Sequence, residues 1–322
     1  MKKIVIILTV LLAFTPLFAQ GKAEKNTGKT DGKLSVVATI YPQYDWVKNI
    51  IGEDAQNIEV KLLIDSGVDL HSFQPNADDI IDIANCDLFI YVGGESDEWV
   101  KDVLEASPNP NRKVLNLLEA LGDNVKEEEL AEGMEHEHDQ EEETEYDEHV
   151  WLSLKNAEIL CKSIENALSS LDPANAKRYS ENATAYIEKL KALDVLYAGT
   201  VESASKKTLL FCDRFPFRYL VDDYGLGYYA AFSGCSAESD ASFETITFLA
   251  GKVDELKLNT VLTIEGNKNK IAKTVISASE AKDVKVLVMD SMQSVKASDI
   301  KNGISYLSVM ESNLETLKAA LN

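Results

Sequence analysis

The sequence predicts an α/β protein of two lobes, each a small, mostly parallel sheet flanked by helices, joined by one long rigid helix. Three observations predict it. Short β-branched runs alternate with amphipathic stretches in both halves of the chain, which is the rhythm of parallel β-α-β units. Between the halves, residues 174–198 run without Gly or Pro and keep an apolar stripe at helical spacing. The length of 322 residues suits two domains of ordinary size.

The chain starts MKKIVIILTVLLAFTPLFAQ. Lys2 and Lys3 precede an apolar run that is short and interrupted by Pro16, so residues 1–19 read as a secretory signal rather than a membrane span. No Cys follows the run to take a lipid. Residues 20–33 form a polar linker, and an exported protein is expected, in the periplasm or on the outer face of the cytoplasmic membrane.

The first lobe covers residues 34–171. LSVVATI at 34–40 reads as a buried strand, 44–51 as a helix stopped by Gly52, and 58–64 as a second strand leading into the loop DSGVDLHSFQP. A helix at 77–84, a strand at 88–92, a helix at 98–106 and a strand at 114–117 follow. From 151 to 170, Ala157, Leu160, Ile164, Leu168 and Leu171 recur every three or four residues and predict an amphipathic helix.

Asp172-Pro173 then reads as an N-cap with Pro at the first helical position. The connecting segment 172–205 carries Tyr179, Ala183, Tyr186, Leu190, Leu193 and Tyr197 on one stripe. About 27–30 helical residues would reach roughly 40–45 Å. The second lobe, 206–322, repeats the rhythm: strands at 208–212, 228–232, 260–264 and 284–289, helices at 215–224, 242–257 and 268–281, and a closing helix within 298–321.

Between Glu127 and Glu148 lie thirteen Asp or Glu residues and no Lys or Arg, together with His136 and His138, and His149 follows at once. Such charge density predicts a mobile loop over most of 127–148. Carboxylates beside imidazoles offer ligands to a divalent cation. The return to HVWLSL places His149 where this loop rejoins packed structure, with His136 and His138 as an auxiliary, weaker site. The net charge of −22 argues against nucleic acid as a partner and suits a protein that attracts cations.

Ligands of open parallel sheets bind at the carboxyl ends of the strands. By that rule His71, His149, Asp213, Glu265 and Asp290 fall at candidate positions, the histidines from one lobe and the carboxylates from the other. Two imidazoles with one or two carboxylates suit zinc or manganese better than calcium or magnesium. Asp213 and Glu265 can equally be read as N-caps of the helices that follow. Of the four cysteines, Cys86 and Cys161 are expected to be buried and inert, and a bridge between Cys212 and Cys235 is open.

TIYP at 39–42, GVDLHSFQP at 67–75, DEHVWL at 147–152, YLVDDYGL at 219–226 and VMDS at 288–291 occur in the same order as in the solute-binding components of zinc and manganese ABC transporters, which the chain resembles. The resemblance covers nearly all of the chain after the signal. It implies a class III-type fold and one metal, Zn2+ or alternatively Mn2+, held between the lobes by His71, His149 and Asp290. It also implies a membrane permease as partner and a monomeric binding protein rather than an enzyme. One position departs. The family's third ligand lies five residues before Tyr219, where this chain has Arg214, and a guanidinium cannot bind a metal. Either Asp213 supplies an oxygen, with Arg214 paired to Glu238 or Glu265, or three ligands are completed by water.

Capture should weaken as pH falls through the histidine range near 6.5. The long helix should limit hinge closure. A secreted zinc hydrolase and a metal-binding adhesin are the rival readings, but no HExxH motif, nucleophile elbow or phosphate-binding glycine loop is present.

Overall fold

The structure is a computed structural model that describes residues 33–52, 55–134, 146–236 and 240–322. The signal and most of the linker, His136, His138 and Glu238 lie outside the described residues.

The first sheet consists of β1 (Leu34–Ala38), β2 (Ile58–Leu62), β3 (Leu88–Tyr91) and β4 (Lys113–Asn116), all parallel, in the order β2-β1-β3-β4. The second consists of β5 (Thr208–Phe215), β6 (Gly227–Ser233), β7 (Thr260–Ile264) and β8 (Lys285–Met289), again parallel, in the order β6-β5-β7-β8. The two sheets therefore share one topology, with the second strand of each at an edge. Helices α1 (Tyr41–Ile51), α2 (Ala77–Asn85), α3 (Trp99–Ala106), α4 (Leu117–Leu121) and α5 (Leu154–Leu171) belong to the first half. Helices α7 (Arg218–Tyr224), α8 (Phe243–Glu255), α9 (Lys270–Ala278), α10 (Ala297–Lys301) and α11 (Tyr306–Leu321) belong to the second. No helix among the described residues is long and apolar enough to cross a membrane.

Helix α6 (Ala176–Ser203) joins the halves with 28 residues, about 42 Å of rise. Every residue of its expected stripe is buried, and so is Val201. It starts later than Asp172-Pro173 suggested. Asp172 instead closes α5, and its carboxylate accepts from Asn57 Nδ2, Asn175 Nδ2 and Tyr179 Oη, so three side-chain donors hold the corner.

One continuous apolar cluster runs from Val36 in the first sheet, through Trp46, Tyr186 and Tyr197, to Leu317 in α11. A smaller cluster, with Leu249, Val261 and Val275, underlies the outer face of the second sheet. Because the larger cluster crosses from lobe to lobe, separating the lobes would expose core surface to water. Polar contacts reinforce the seam: Tyr41 Oη donates to the Ile304 carbonyl at 2.7 Å, Trp151 Nε1 to the Ser291 carbonyl at 2.8 Å and Tyr306 Oη to the Trp151 carbonyl at 2.6 Å.

Further details differ from expectation. Strand β5 continues through Phe215, and its register shifts between Phe211 and Arg214, so Asp213 sits inside an irregular strand rather than after it. The closing helical stretch divides into α10 and α11, parted at Gly303, whose φ of 86° no helix allows. The acidic stretch is not loose where it begins. Met134 is buried, Glu129 pairs with Arg218 at 3.2 Å, and Glu127 pairs as an antiparallel bridge with Tyr146.

Candidate metal centre

His71 lies in a single 3₁₀ turn, Leu70–Ser72, after β2. Asp69 caps that turn by accepting the His71 backbone N–H at 3.1 Å. The His71 ring nitrogen Nδ1 lies 2.6 Å from Ser96 Oγ and 3.7 Å from Glu148 Oε2. Glu148 in turn accepts the Ser96 backbone N–H through Oε1 at 2.8 Å. Gly94, at φ 82°, makes room for this carboxylate, since a Cβ there would meet Glu148 Oε1 at 2.4 Å.

His149 is wholly buried. Its Nδ1 and its backbone N–H both face Asp147 Oδ1, at 3.0 and 2.8 Å. An ionised carboxylate only accepts, so Nδ1 carries the hydrogen and Nε2 is the nitrogen left for a metal. The two Nε2 atoms of His71 and His149 are 3.2 Å apart. Gly234 closes behind the ring, where a Cβ would come within 2.9 Å of His149 Cε1.

Two imidazoles this close cannot both hold a charge. Burial and the neighbouring His149 push His71 down to about 3. Burial also works against a charged His149, but the charge and hydrogen bond of Asp147 outweigh it and raise that ring. Burial pushes Glu148 up to about 7, and its Oε2 has no hydrogen-bond partner among the described residues. With the Gln293 amide nitrogen turned to the Asp69 carboxylate at 2.8 and 3.2 Å, its oxygen faces His149 Nε2 at 2.6 Å.

A cavity of about 720 Å³ between the lobes is lined by His71, Asp213, Glu265 and Asp290, four of the five residues the strand-end rule named, and also by Arg214 and Cys235, while His149 is not in its lining. Their roles differ. Asp213 Oδ1 accepts from the Arg214 N–H in its own strand, and Oδ2 accepts from the Ile264 N–H at 3.0 Å and from Asn267 Nδ2 at 2.6 Å, so Oδ2 knits β5 to β7. Glu265 accepts from Ser291 N, Ser291 Oγ and Gln293 N, and thereby shapes the loop after β8. Neither carboxylate caps the helix that follows. Asp290 Oδ1 accepts the Met292 N–H at 2.8 Å, and burial with the adjacent Glu265 pushes the group up to about 7.

Arg214 pairs with Asp69 at 2.6 Å across the cleft, not with Glu265. Burial opposes the charge on Asp69, but this guanidinium holds its carboxyl below the usual range.

Sequence reasoning missed Cys235. The His71, His149 and Cys235 ligand atoms all lie within 4.8 Å of one another, and among the described residues neither Asp213 nor Asp290 belongs to such a group. All four cysteines are free, so no bridge joins Cys212 to Cys235: Cys212 is buried in the small cluster of the second sheet. Burial, then the Glu128, Glu148 and Asp147 carboxylates, push the Cys235 thiol well above its ordinary value. A lone cysteine after a strand carries no local signal. The only hint was its place at the carboxyl end of β6.

The profile of a family described as zinc-uptake complex component A, periplasmic, matches residues 36–320. A zinc-binding lipoprotein, AdcA, of Streptococcus pneumoniae serotype 4 is 35% identical over 324 residues, covering 99% of this chain and 61% of the relative. The chain thus spans about three-fifths of that protein's length. A high-affinity zinc uptake system protein, ZnuA, of Bacillus subtilis is 30% identical over 295 residues, covering 90% of this chain and 88% of the relative. Among solved structures, the Zn(II)-bound ZnuA-like domain of the S. pneumoniae AdcA superposes with a TM-score of 0.71 at 31% identity, covering 90% of this chain and 99% of that one.

Proposed function

The chain belongs to the family of periplasmic zinc-uptake component A proteins, and from that premise we propose that it captures a divalent transition metal outside the cytoplasm and delivers it to an ABC-type membrane permease. The family is one of uptake components, not enzymes. The observation that carries the reading is the 3.2 Å approach of the His71 and His149 Nε2 atoms. Imidazoles with nothing to do would not be set Nε2 to Nε2 with their other nitrogens tied to Asp147 and Ser96. In this reading His71 and His149 are the nitrogen ligands, and Asp290, which lines the same cavity as His71, is the proposed oxygen ligand. Asp213 is a brace between strands rather than a ligand.

Zinc is the favoured cargo and manganese the alternative. Neutral imidazole and ionised carboxylate are the binding forms, so metal binding releases the protons these groups hold, and Gln293 must yield the Nε2 of His149. Release needs only loop movement at the cleft, since the apolar seam opposes wide opening. In this reading the chain is a monomer that meets the permease, with no nucleic-acid partner.

Competitive titration of the purified protein against zinc and manganese chelators tests the reading. Tight one-to-one binding is expected, with its loss in the His71→Ala/His149→Ala pair. Equal affinity in the double variant, or turnover of ester and peptide substrates by the loaded protein, would overturn it.

A further inference from the structure

We propose that Cys235 is a direct ligand of the cargo metal, its thiolate taking the coordination position that Arg214 leaves vacant, so that the site prefers zinc to manganese. The inference rests on the metal-capture reading and names the chemistry of that same site.

Four observations carry it. The Sγ of Cys235 and the imidazole nitrogens of His71 and His149 lie within 4.8 Å of one another. Bonds of about 2.0–2.1 Å to nitrogen and 2.3 Å to sulfur put tetrahedral ligand atoms roughly 3.5 Å apart, so closure of about an ångström completes the set. The competing side chains are engaged elsewhere. Arg214 reaches across to Asp69 at 2.6 Å and to the Ser236 carbonyl, and Asp213 accepts three N–H groups.

The backbone delivers the thiol. Gly234 lies close enough to the His149 ring that an added Cβ would come within 2.9 Å of Cε1, and the Cys235 N–H is held by Glu128 Oε1 at 3.2 Å. Finally, Cys235 follows β6 and His71 follows β2, which are matching edge strands of two sheets with one topology. The two lobes thus present one ligand each from the equivalent loop.

Coordination exchanges an S–H bond for an S–metal bond, and the proton passes to solvent. Three protein ligands leave one position for Asp290, which lines the same cavity, or for water. Thiolate is a soft donor that favours zinc, whereas manganese favours oxygen ligands. Zinc preference then follows from sulfur, not from a third imidazole.

Cobalt(II) as a spectroscopic stand-in for zinc tests this in the full chain, with Cys235→Ser, Cys235→Ala and Cys235→His compared with wild type. The wild type is expected to show the near-ultraviolet thiolate-to-cobalt charge-transfer band. The serine and alanine variants should bind cobalt without it, while melting like the wild type in the metal-free state. Their zinc affinity should fall by more than the roughly 10–100-fold that loss of an outer partner costs, with manganese affinity little changed. Cys235→His should recover zinc affinity without the band. Cobalt bound by the wild type with no charge-transfer band, or zinc affinity unchanged in Cys235→Ser, overturns the thiolate ligand and leaves the two-histidine reading standing. A wild type that binds neither cobalt nor zinc overturns the metal-capture reading itself.

Discussion

The carboxylate of Asp147 holds His149 twice, through the backbone N–H at 2.8 Å and through ring Nδ1 at 3.0 Å. One acidic side chain thus fixes both the position of the residue and the tautomer of its ring. Asp147→Asn keeps the shape but can turn an N–H toward Nδ1, which favours the wrong tautomer. Zinc affinity should fall by about 10–100-fold in a chelator competition, with the fold intact by circular dichroism.

Gly234 has no room for a side chain: an added Cβ would lie 2.9 Å from His149 Cε1 and 3.0 Å from the Phe215 carbonyl. Gly234→Ala should therefore displace the ring or the strand end. A stability loss of about 1–3 kcal/mol is expected from overpacking. Metal affinity should drop with it, and calorimetry with metal titration reads both.

Tyr306 is fully buried and donates to the Trp151 carbonyl at 2.6 Å, two residues from His149. Tyr306→Phe removes the donor and leaves that carbonyl buried without it. The expected cost is about 1–3 kcal/mol. At roughly 2–4 °C for each kcal/mol, the melting temperature should fall by several degrees. An unchanged melting temperature would show that the seam does not depend on this contact.

Asp97 accepts the Val92 and Gly93 N–H groups through Oδ2, while its buried Oδ1 has no partner among the described residues. Burial pushes its carboxyl up to about 6, although the two N–H donors pull the other way. A raised native pKa means the folded state binds the proton more tightly than the unfolded chain, whose carboxyl titrates near 3.9. Ionisation therefore costs stability in full above about pH 6, and the cost fades as pH falls toward 4. Asp97→Asn lacks that titration. Its stability relative to wild type should be greatest at neutral pH and should decline between pH 6 and 4, as followed by denaturant melts.

The acidic stretch separates into parts with different duties. Glu128 holds the Cys235 N–H, Met134 is buried, and the Asp147 N–H donates to the Lys126 carbonyl at 2.9 Å. Replacing residues 135–145, which include His136 and His138, by a short Gly-Ser linker should slow capture at scarce metal and leave equilibrium affinity unchanged. Deleting 127–146 should also lower the melting temperature and the affinity. Stopped-flow capture and thermal melts separate the two.

Much of this protein was legible locally. Runs such as TVLTI at 260–264 became strands with the expected bounds because β-branched residues and flanking polar residues encode a buried strand without outside help. The α6 stripe was legible for the same reason, since its spacing repeats over 28 residues. His71 and His149 stood out because strand-end loops with no packing use for histidine rarely carry one by chance.

Other features were not written in any one segment. Asp213 looks like a ligand in sequence, and only the register shift in β5 aims it at Ile264 and Asn267. Arg214 needed a carboxylate, and which one depended on where Asp69, 145 positions away in the chain, came to rest. The amino-acid sequence by itself determined the two parallel sheets, the helix between them and the pair of histidines, because propensity and periodicity act over neighbouring residues. Only the tertiary structure brought Cys235 within 4.8 Å of those histidines and turned Asp213 toward Ile264 and Asn267, because convergence of loops from two separate sheets is set by packing across the seam.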